Sequence, residues 1–404
     1  MTTGWTGIRL ALRHRNYRLF VAGQLLSLLG TYTQAVALSW LVYRLGGSAV
    51  WLGVAMFCQQ APIVVLASLG GSLADRHRRR SILVATQSAA MVLAFTLAAL
   101  ALSGTVQLAH VLVLATLAGV VSAIDIPTRQ SFVVEMVGRD SLMTAVAINS
   151  AMATCATSLG PVLAGFGVVA FGEGWCFLAN GVSFLAVIGG LLAMRDLPAP
   201  VAGRPHEALA VRIAEGFRFA RGDARVRALF ALLAVTAFAA IPYGTLFPVF
   251  AKDVFHGDAR ALGALTGAAG FGALLGAGAL ALRRGGAPLE RWVGVACLVL
   301  GAALVAFSLQ RDLWWSLVAL VPVGAATIIQ VSATNTLVQT IAPDALRGRV
   351  MAIWAMILMG FNPLGGLLAS TVASFVSPTL PLAIGGTVCM IAAVVFIRRR
   401  DVQA

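Results

Sequence analysis

The chain has little charge for its length. Of its 404 residues only 11% are Asp, Glu, Lys or Arg, whereas a soluble domain has about 25%. Hydrophobic residues make up 59% of the sequence. The composition therefore excludes an ordinary soluble protein and indicates a chain that lies in a lipid bilayer.

Motifs for catalysis, nucleotide hydrolysis and metal binding are missing too. The sequence has no Gly-x-x-x-x-Gly-Lys segment, so ATP is not expected to supply energy. It also has no Gly-x-Ser-x-Gly, His-Glu-x-x-His or paired-carboxylate constellation, which speaks against an intramembrane enzyme. The five cysteines occur singly, without a Cys-x-x-Cys pair, and are expected to be small buried hydrophobes. We therefore expect no enzyme activity, no cofactor and no metal site.

What the sequence does have is long runs without charge. A membrane-spanning helix needs about 20 such residues. The runs are 19–43, 45–74, 81–124, 141–172, 174–194, 228–251, 261–282, 292–310, 313–343 and 350–397. Two of them, 81–124 and 350–397, are long enough for two helices each, broken near Ser103-Gly104 and near Ser377-Pro378. The sequence therefore predicts an all-α membrane protein with 12 transmembrane helices.

The positive charge is distributed on one side of the predicted membrane. A net charge of +14 alone would allow a nucleic-acid partner. With a cytoplasmic N-terminus, however, all but four of the 29 Lys and Arg residues fall in inner loops and tails, the exceptions being Arg44, Lys252, Arg260 and Arg311. This is the positive-inside pattern. It predicts a multi-pass protein of the inner (plasma) membrane with both termini cytoplasmic, with the lipid bilayer as partner and no nucleic acid.

A long polar segment divides the predicted spans six and six. It predicts an N-terminal six-helix bundle at 1–194, a cytoplasmic linker at 195–227 and a C-terminal six-helix bundle at 228–404. One offset of 205 residues aligns landmarks of the two halves: Gly71 with Gly276, Gly119 with Gly324, and Gly160 with Gly365. The sequence therefore predicts a duplicated six-helix unit whose copies are related by a pseudo-two-fold axis along the membrane normal.

The segment "GSLADRHRRR", residues 71–80, places a dense charge cluster between spans 2 and 3. It resembles the loop signature of the major facilitator superfamily, Gly-x-Leu-Ala-Asp-Arg-x-Gly-Arg-Arg, and departs from it at Arg78, where the family usually has glycine. The departure requires a turn that avoids positive φ or accepts about 1–2 kcal/mol of strain.

The resemblance implies a conformational latch on the cytoplasmic face. It assigns to this latch Gly71, Asp75, Arg76, Arg79, Arg80, Asp125 and Arg129. Gly71 is expected to let span 2 approach a neighbour closely, and Asp125 on span 4 is expected to pair with Arg79 or a neighbouring arginine. The alternative is that the four arginines only orient the protein in the membrane.

Two further stretches resemble one branch of that superfamily. The segments "DIPTRQSFVVEMVGRDSLMTAVAINS" and "NTLVQTIAPDALRGRVMAIW" are similar to those of the branch holding the enterobactin exporter and macrolide efflux proteins, which implies export. In span 5 the segment "TSLGPVLAG" resembles the family's antiporter signature at Gly160, Pro161 and Gly165. The alternative for this segment is an ordinary proline kink.

Substrate contacts are expected at mid-membrane depth, between the two halves, as the resemblance implies. Polar and aromatic residues placed there are Thr31, Gln34, Gln59, Gln60, Asn149, Phe238, Tyr243, Gln330, Asn335 and Trp354, with Asn362 near them. For each amide the alternative is an interhelical hydrogen bond, and for Phe238 and Trp354 it is packing or lipid contact. The set has no central Lys or Arg, which favours a bulky, lipophilic or neutral solute.

These observations predict a secondary efflux transporter that works by alternating access and exchanges protons for a hydrophobic small molecule such as a drug or siderophore. Asp125 is the candidate proton carrier, since an intramembrane carboxylate can load a proton. The spans 1 and 7 lack such an acid, so a lipid or lysolipid flippase on the same fold is the alternative. The protein is expected to be a monomer.

Overall fold

A computed structural model describes residues 13–137, 142–195, 209–283 and 288–401, and these residues are almost entirely helical. The helices are α1 (Arg15–Gly46), α2 (Val50–Arg76), α3 (Arg79–Leu102), α4 (Leu108–Val137), α5 (Leu142–Phe171), α6 (Glu173–Leu192), α7 (Leu209–Gly222), α8 (Ala224–Ala239), α9 (Ala259–Ala281), α10 (Leu289–Leu309), α11 (Leu313–Ile341), α12 (Arg347–Phe375) and α13 (Thr379–Asp401). Helices α1–α6 correspond to predicted spans 1–6, and α8–α13 to spans 7–12. The all-α class is thereby confirmed.

Most of these helices are long enough to cross a membrane. Among the described residues, eleven helices are long and apolar enough to cross a membrane, and α2 contributes a shorter apolar stretch, Val50–Leu66. The two breaks expected inside long runs are present. Helix α3 ends at Leu102, just before Gly104 with φ +72°, a conformation that favours glycine. Helix α12 ends at Phe375, and α13 begins at Thr379.

The seventh span changes its helical pitch. After α8 ends at Ala239, the chain continues as a 3₁₀-helix over Ile241–Leu246, an α-helical turn over Phe247–Val249 and a π-helix over Phe250–Val254. Pro242 and Pro248 lack the backbone N–H that a regular α-helix needs. Short 3₁₀ and π segments inside a helix often mark a functional site.

The helices group into two compact units. Unit 1 comprises Met1–Leu45 and Cys58–Pro205, and unit 2 comprises Gly46–Phe57 and His206–Ala404. Tyr17, Phe20 and Phe132 are buried in the core of unit 1. In unit 2 the rings of Phe250 and Phe307 pack with centroids 4.9 Å apart. The start of α2 therefore belongs to the compact unit of the C-terminal half.

The two units repeat the same helix pairs. In unit 1, α3 packs along α4 and α6; in unit 2, α10 packs along α11 and α13. Glycines allow close crossings at positions 205 residues apart. A Cβ at Gly119 would overlap the carbonyl oxygen of Gln59, and one at Gly324 would overlap that of Ala269. These glycines allow their helices to approach as small residues do in membrane interfaces.

Candidate functional site

The loop between α2 and α3 is a tight turn centred on Arg78. Arg78 adopts φ −63° and ψ 113°, so the arginine that replaces the family's glycine is unstrained. The side chains of Asp75 and Arg76 lie outside the described residues, and their expected roles stay predictions.

Arg79 at the start of α3 forms an ion pair with Glu135, not with Asp125. The guanidinium Nη1 lies 3.0 Å from Glu135 Oε2, and the two side chains are 25% and 14% exposed. Glu135 belongs to the last turn of α4, at the level where antiparallel α3 begins. Asp125 lies ten residues earlier, which is about 15 Å deeper along the helix axis. Asp125 was expected to pair with Arg79 or a neighbouring arginine. For Arg79 the partner is corrected to Glu135, and a pair with Arg76 lies outside the described residues.

Asp125 has a separate set of partners. Its Oδ1 accepts hydrogen bonds from Thr86 Oγ1 and Gln87 Nε2, both at 2.8 Å. Its Oδ2 lies 3.6 Å from Nε of Arg129, one turn further along α4. Asp125 is only 7% exposed, and a buried carboxylate is tolerated when it is paired and hydrogen-bonded. These bonds join α3 to α4 inside unit 1.

Arg80 binds the end of another helix of unit 1. Its Nη2 donates to the carbonyl oxygen of Leu192 at 2.7 Å. Leu192 is the last residue of α6, where backbone carbonyls lack helical partners and attract cations. The arginines of the loop therefore join α3 to both α4 and α6.

The close-approach glycine at the end of α2 is Gly70. A Cβ at Gly70 would overlap the carbonyl oxygen of Ala123 on α4, whereas a Cβ at Gly71 would meet no described atom within 4 Å. One residue rotates the side-chain position by about 100° around a helix of 3.6 residues per turn. The expectation for Gly71 was therefore wrong by one position.

The Gly-Pro pair of α5 contacts α1. A Cβ at Gly160 would lie 2.6 Å from Cβ of Tyr32, and Thr33 Oγ1 donates to the Gly160 carbonyl oxygen at 3.2 Å. Pro161 lies inside the helix, and Gly165 is buried. The pair thus allows a tight crossing of α5 over α1, a contact that fits both the antiporter-signature and the proline-kink interpretations.

The expected substrate residues of unit 1 have varied surroundings. Gln34 Oε1 accepts a hydrogen bond from Asn180 Nδ2 of α6 at 2.8 Å, which is the interhelical alternative. Thr31 and Gln59 are exposed, and Gln60 and Asn149 are half-buried. Gln34 therefore has a structural partner, while the others remain candidates.

In unit 2 two of the expected residues, Phe238 and Tyr243, belong to the irregular seventh span. Phe238 packs edge-to-face on Phe361 of α12, with ring centroids 6.3 Å apart. Tyr243, in the 3₁₀ segment, packs against Phe247 with ring centroids 5.5 Å apart. Asn335 of α11 accepts a hydrogen bond from Gln339, one turn along the same helix. Phe238 therefore joins α8 to α12.

Buried polar atoms without a protein partner accumulate on α11 and α12. Gln330 is fully buried, and neither atom of its amide has a hydrogen-bond partner among the described residues. Trp354 Nε1 and Asn362 Oδ1, buried atoms of half-buried residues, have none there either. The hydroxyls of Thr334 and Ser370 complete the set. Because most buried polar groups in proteins have a partner, these atoms are available for hydrogen bonds to water or to a ligand.

The start of α2 contributes to unit 2. A Cβ at Gly53 would lie 2.8 Å from Cα of Leu367 on α12, and Thr245 Oγ1 donates to Met56 Sδ at 3.1 Å. Sequence reasoning did not single out Met56 or Thr245. The neighbouring Gln59 and Tyr243 were singled out because amides and aromatics are conspicuous in apolar spans, whereas Met and Thr are not.

Part of the expected linker is an ordered helix of unit 2. Residues 196–208 lie outside the described residues, but α7 follows at Leu209–Gly222. Glu215 of α7 forms an ion pair with Arg349 at the start of α12. A Cβ at Gly216 would lie 2.9 Å from the carbonyl oxygen of Arg349. The arginine-rich start of α12 is therefore a docking point for α7.

Comparisons with known proteins place this arrangement in context. Residues 6–403 match the family model described as transmembrane secretion effector. The staphyloferrin A transporter of Staphylococcus aureus is 26% identical over 94% of this chain and 96% of its own. The multidrug efflux pump Tap of Mycobacterium tuberculosis is 29% identical over 92% of each chain. The enterobactin exporter EntS of Citrobacter koseri is 26% identical over 85% and 80%.

Solved structures share the fold. A POT family transporter superposes with a TM-score of 0.77 over 95% of each chain at 11% sequence identity. At that identity the similarity shows the fold alone. It agrees with the helical architecture described above.

Proposed function

Since the chain belongs to the transmembrane secretion effector family of the major facilitator superfamily, we propose that it exports a hydrophobic small molecule, a drug or a siderophore-like compound, across the inner membrane. The observation that carries the proposal is the similarity, over most of the chain, to proteins that transport siderophores or drugs. The same relatives do not favour the flippase alternative.

The surroundings of the candidate substrate residues support a lipophilic cargo. Phe238, Phe361 and Trp354 offer aromatic surface, while Gln330 and Asn362 offer amide groups that have buried atoms without protein partners. Pockets for small molecules are mostly apolar with a few placed polar groups. This combination suits a ligand with a large apolar body and a few hydrogen-bonding atoms.

Twelve spans in a 6+6 arrangement are the proposed architecture. Helix α2, as span 2, brings the eleven long apolar helices to a total of twelve spans, although its qualifying apolar stretch is short. Support for duplication comes from a contact that recurs at the offset of 205 residues. Gly160 lies against Thr33 in unit 1, and Gly365 lies against Phe238 in unit 2. The two glycines are 205 residues apart, and so are Thr33 and Phe238. Both termini are proposed to be cytoplasmic, following the positive-inside pattern.

Transport is proposed to proceed by alternating access in exchange for protons. Alternating access in this type of transporter is a rocking of two bundles around a fixed site. The contacts of Arg79 and Arg80 support a rigid cytoplasmic end of unit 1, against which Asp75 and Arg76 would form the latch. Asp125 remains the candidate proton carrier, although its bonds to Thr86 and Gln87 equally support a structural role.

The export proposal is tested in a host that lacks its own drug pumps. Cells expressing the protein should accumulate less of at least one lipophilic fluorescent dye or siderophore in a broad panel than the same cells carrying an empty vector. Unchanged accumulation across the panel, with the protein verified in the membrane, would overturn the proposal.

Energy coupling is tested separately in the same cells. An uncoupler that collapses the proton gradient should return accumulation to the level of empty cells. Export that persists after uncoupling would retain the transporter assignment but refute proton exchange.

A further inference from the structure

A groove of about 360 Å³ lies between α10 and α11 of unit 2, apart from the candidate substrate residues. Val295 and Val299 line it from α10, and Pro322, Ala326 and Ile329 line it from α11. At one end are Arg291 and Trp292, in the first turn of α10. Except for that end, its lining is hydrocarbon.

The groove has a clear sequence origin. Alanines at 296, 325 and 326 leave room where longer side chains would fill the crevice. Pro322 lies inside α11, and a proline disturbs the regular helix around it. The positions 205 residues earlier than Arg291 and Trp292 are Thr86 and Gln87, which bond to Asp125 across α3 and α4. Unit 2 has no such polar bridge at this crevice among the residues described.

The positive charge at the end of the groove favours an anionic ligand. Arg291 is exposed, and no ion pair joins it to any residue in the described part of the chain. It lies in the first turn of α10, where the backbone N–H groups already carry partial positive charge. Glu290 precedes it but does not line the groove. An anionic group at this end would meet both the guanidinium and the helix terminus.

The size and exposure of the groove favour a lipid acyl chain as its occupant. Pockets for small molecules measure about 300–1,000 Å³, so this groove is near the lower limit and too small for a bulky solute. Val295 is 47% exposed in a helix apolar enough to span a bilayer, so the groove faces a surface that lipid can reach. Trp292 beside Arg291 is typical of the membrane interface, where indole rings lie at headgroup depth.

We propose that the groove between α10 and α11 binds one anionic phospholipid, with an acyl chain along Val295, Val299 and Ala326 and the headgroup phosphate at Arg291. In the proposed orientation the headgroup lies in the cytoplasmic leaflet, where anionic lipids attract basic side chains. The lipid is a bound component and not the exported molecule. The proposal does not depend on the identity of the exported compound.

Fluorescence quenching tests the site directly. The full-length protein is reconstituted with phosphatidylcholine or phosphatidylglycerol carrying brominated acyl chains, which quench nearby tryptophans. Subtracting the signal of Trp292→Phe isolates Trp292. Brominated phosphatidylglycerol should quench Trp292 at about fivefold lower mole fraction than brominated phosphatidylcholine. This is the affinity difference expected from the attraction of one basic side chain to an anionic lipid.

Matched variants separate the groove from general attraction to the membrane. Arg291→Gln should abolish the headgroup preference, whereas Arg398→Gln, an exposed arginine at the end of α13, should retain it. Val295→Phe should reduce quenching by filling the groove, whereas Val318→Phe, at an exposed site on α11 outside it, should not. Equal quenching by both lipids, equal losses in Arg291→Gln and Arg398→Gln, or no effect of Val295→Phe would each overturn the proposal.

Discussion

The two units keep the same glycine crossings but fill the neighbouring crevices with different side chains. Between α3 and α4 of unit 1, Asp125 is held by Thr86 and Gln87. The corresponding positions of unit 2 carry Gln330, Arg291 and Trp292, and the buried amide of Gln330 has no hydrogen-bond partner in the part of the chain that the structure describes. The difference teaches that a glycine crossing needs only the absence of a side chain, whereas a polar bridge needs matching groups on both helices.

The largest expected effect contrasts Asp125 with its counterpart Gln330. Asp125→Leu removes the acceptor for Thr86 and Gln87 and leaves Arg129 without its ion pair, so it should destabilise unit 1 by about 3 kcal/mol. Gln330→Leu removes an amide that has no partner and should be neutral or stabilising. Thermal unfolding of both variants in detergent measures the contrast. Equal destabilisation would show that the two crevices are not as different as described.

Substitution of the glycines at helix crossings should have the next largest effect on stability. Gly365→Ala places a methyl group on the Phe238 carbonyl oxygen, and overpacking of this kind costs about 1–3 kcal/mol. Gly70→Ala should behave similarly through Ala123, whereas Gly71→Ala, with no described atom near its Cβ, should leave the unfolding temperature unchanged. A loss of stability in Gly71→Ala alone would contradict the assignment of Gly70 as the crossing residue.

The ion pair of unit 1 is expected to contribute less. A double-mutant cycle on Arg79→Gln and Glu135→Gln should give a coupling free energy of about 1 kcal/mol, since the pair is partly buried at the helix ends. The same cycle on Arg79 and Asp125 should give no coupling, as these residues have separate partners. Unfolding temperatures of the single and double variants measure both cycles. Coupling to Asp125 instead would restore the pairing expected from the sequence.

The smallest effect concerns the hydrogen bond beside the Gly-Pro pair. Thr33→Val keeps the shape of the side chain and removes its bond to the Gly160 carbonyl oxygen, which should cost about 0.6 kcal/mol. Thr31→Val, at an exposed position two residues earlier, is the matched control. Unfolding of the two proteins under identical conditions compares them, and a larger loss in Thr31→Val would argue against the described bond.

Much of the fold could be predicted from the sequence because the bilayer imposes a simple rule. A run without charge of about 20 residues must become a helix there, so the breaks at Gly104 and at Ser377-Pro378 could be placed within a few residues. The change of pitch after Ala239 could not, since prolines at 242 and 248 are compatible with a kink, a 3₁₀ turn or a π-helix. The sequence does not show the packing of this segment, in which the 3₁₀ part lies against α12 and the π part lies against α9.

The candidate site was predicted less well because it depends on helix phase and depth. The loop signature drew attention to Arg79, but its partner was sought at the acid inside span 4 rather than at Glu135 near the end of that span. In two antiparallel helices the start of one lies beside the end of the other. Applied to α3 and α4, this rule would have pointed to Glu135 as the partner of Arg79. The choice of Gly71 over Gly70 failed for a similar reason, since a motif conveys residue type but not which way the position faces.

The irregular seventh span has a consequence for motion. A segment that already contains 3₁₀, α and π hydrogen bonds between Ile241 and Val254 can exchange one bonding pattern for another while keeping its backbone groups paired. Such an exchange rotates Tyr243 and Phe247 around the helix axis, so it changes the packing of these two rings on each other and of Phe247 on Phe307 of α10.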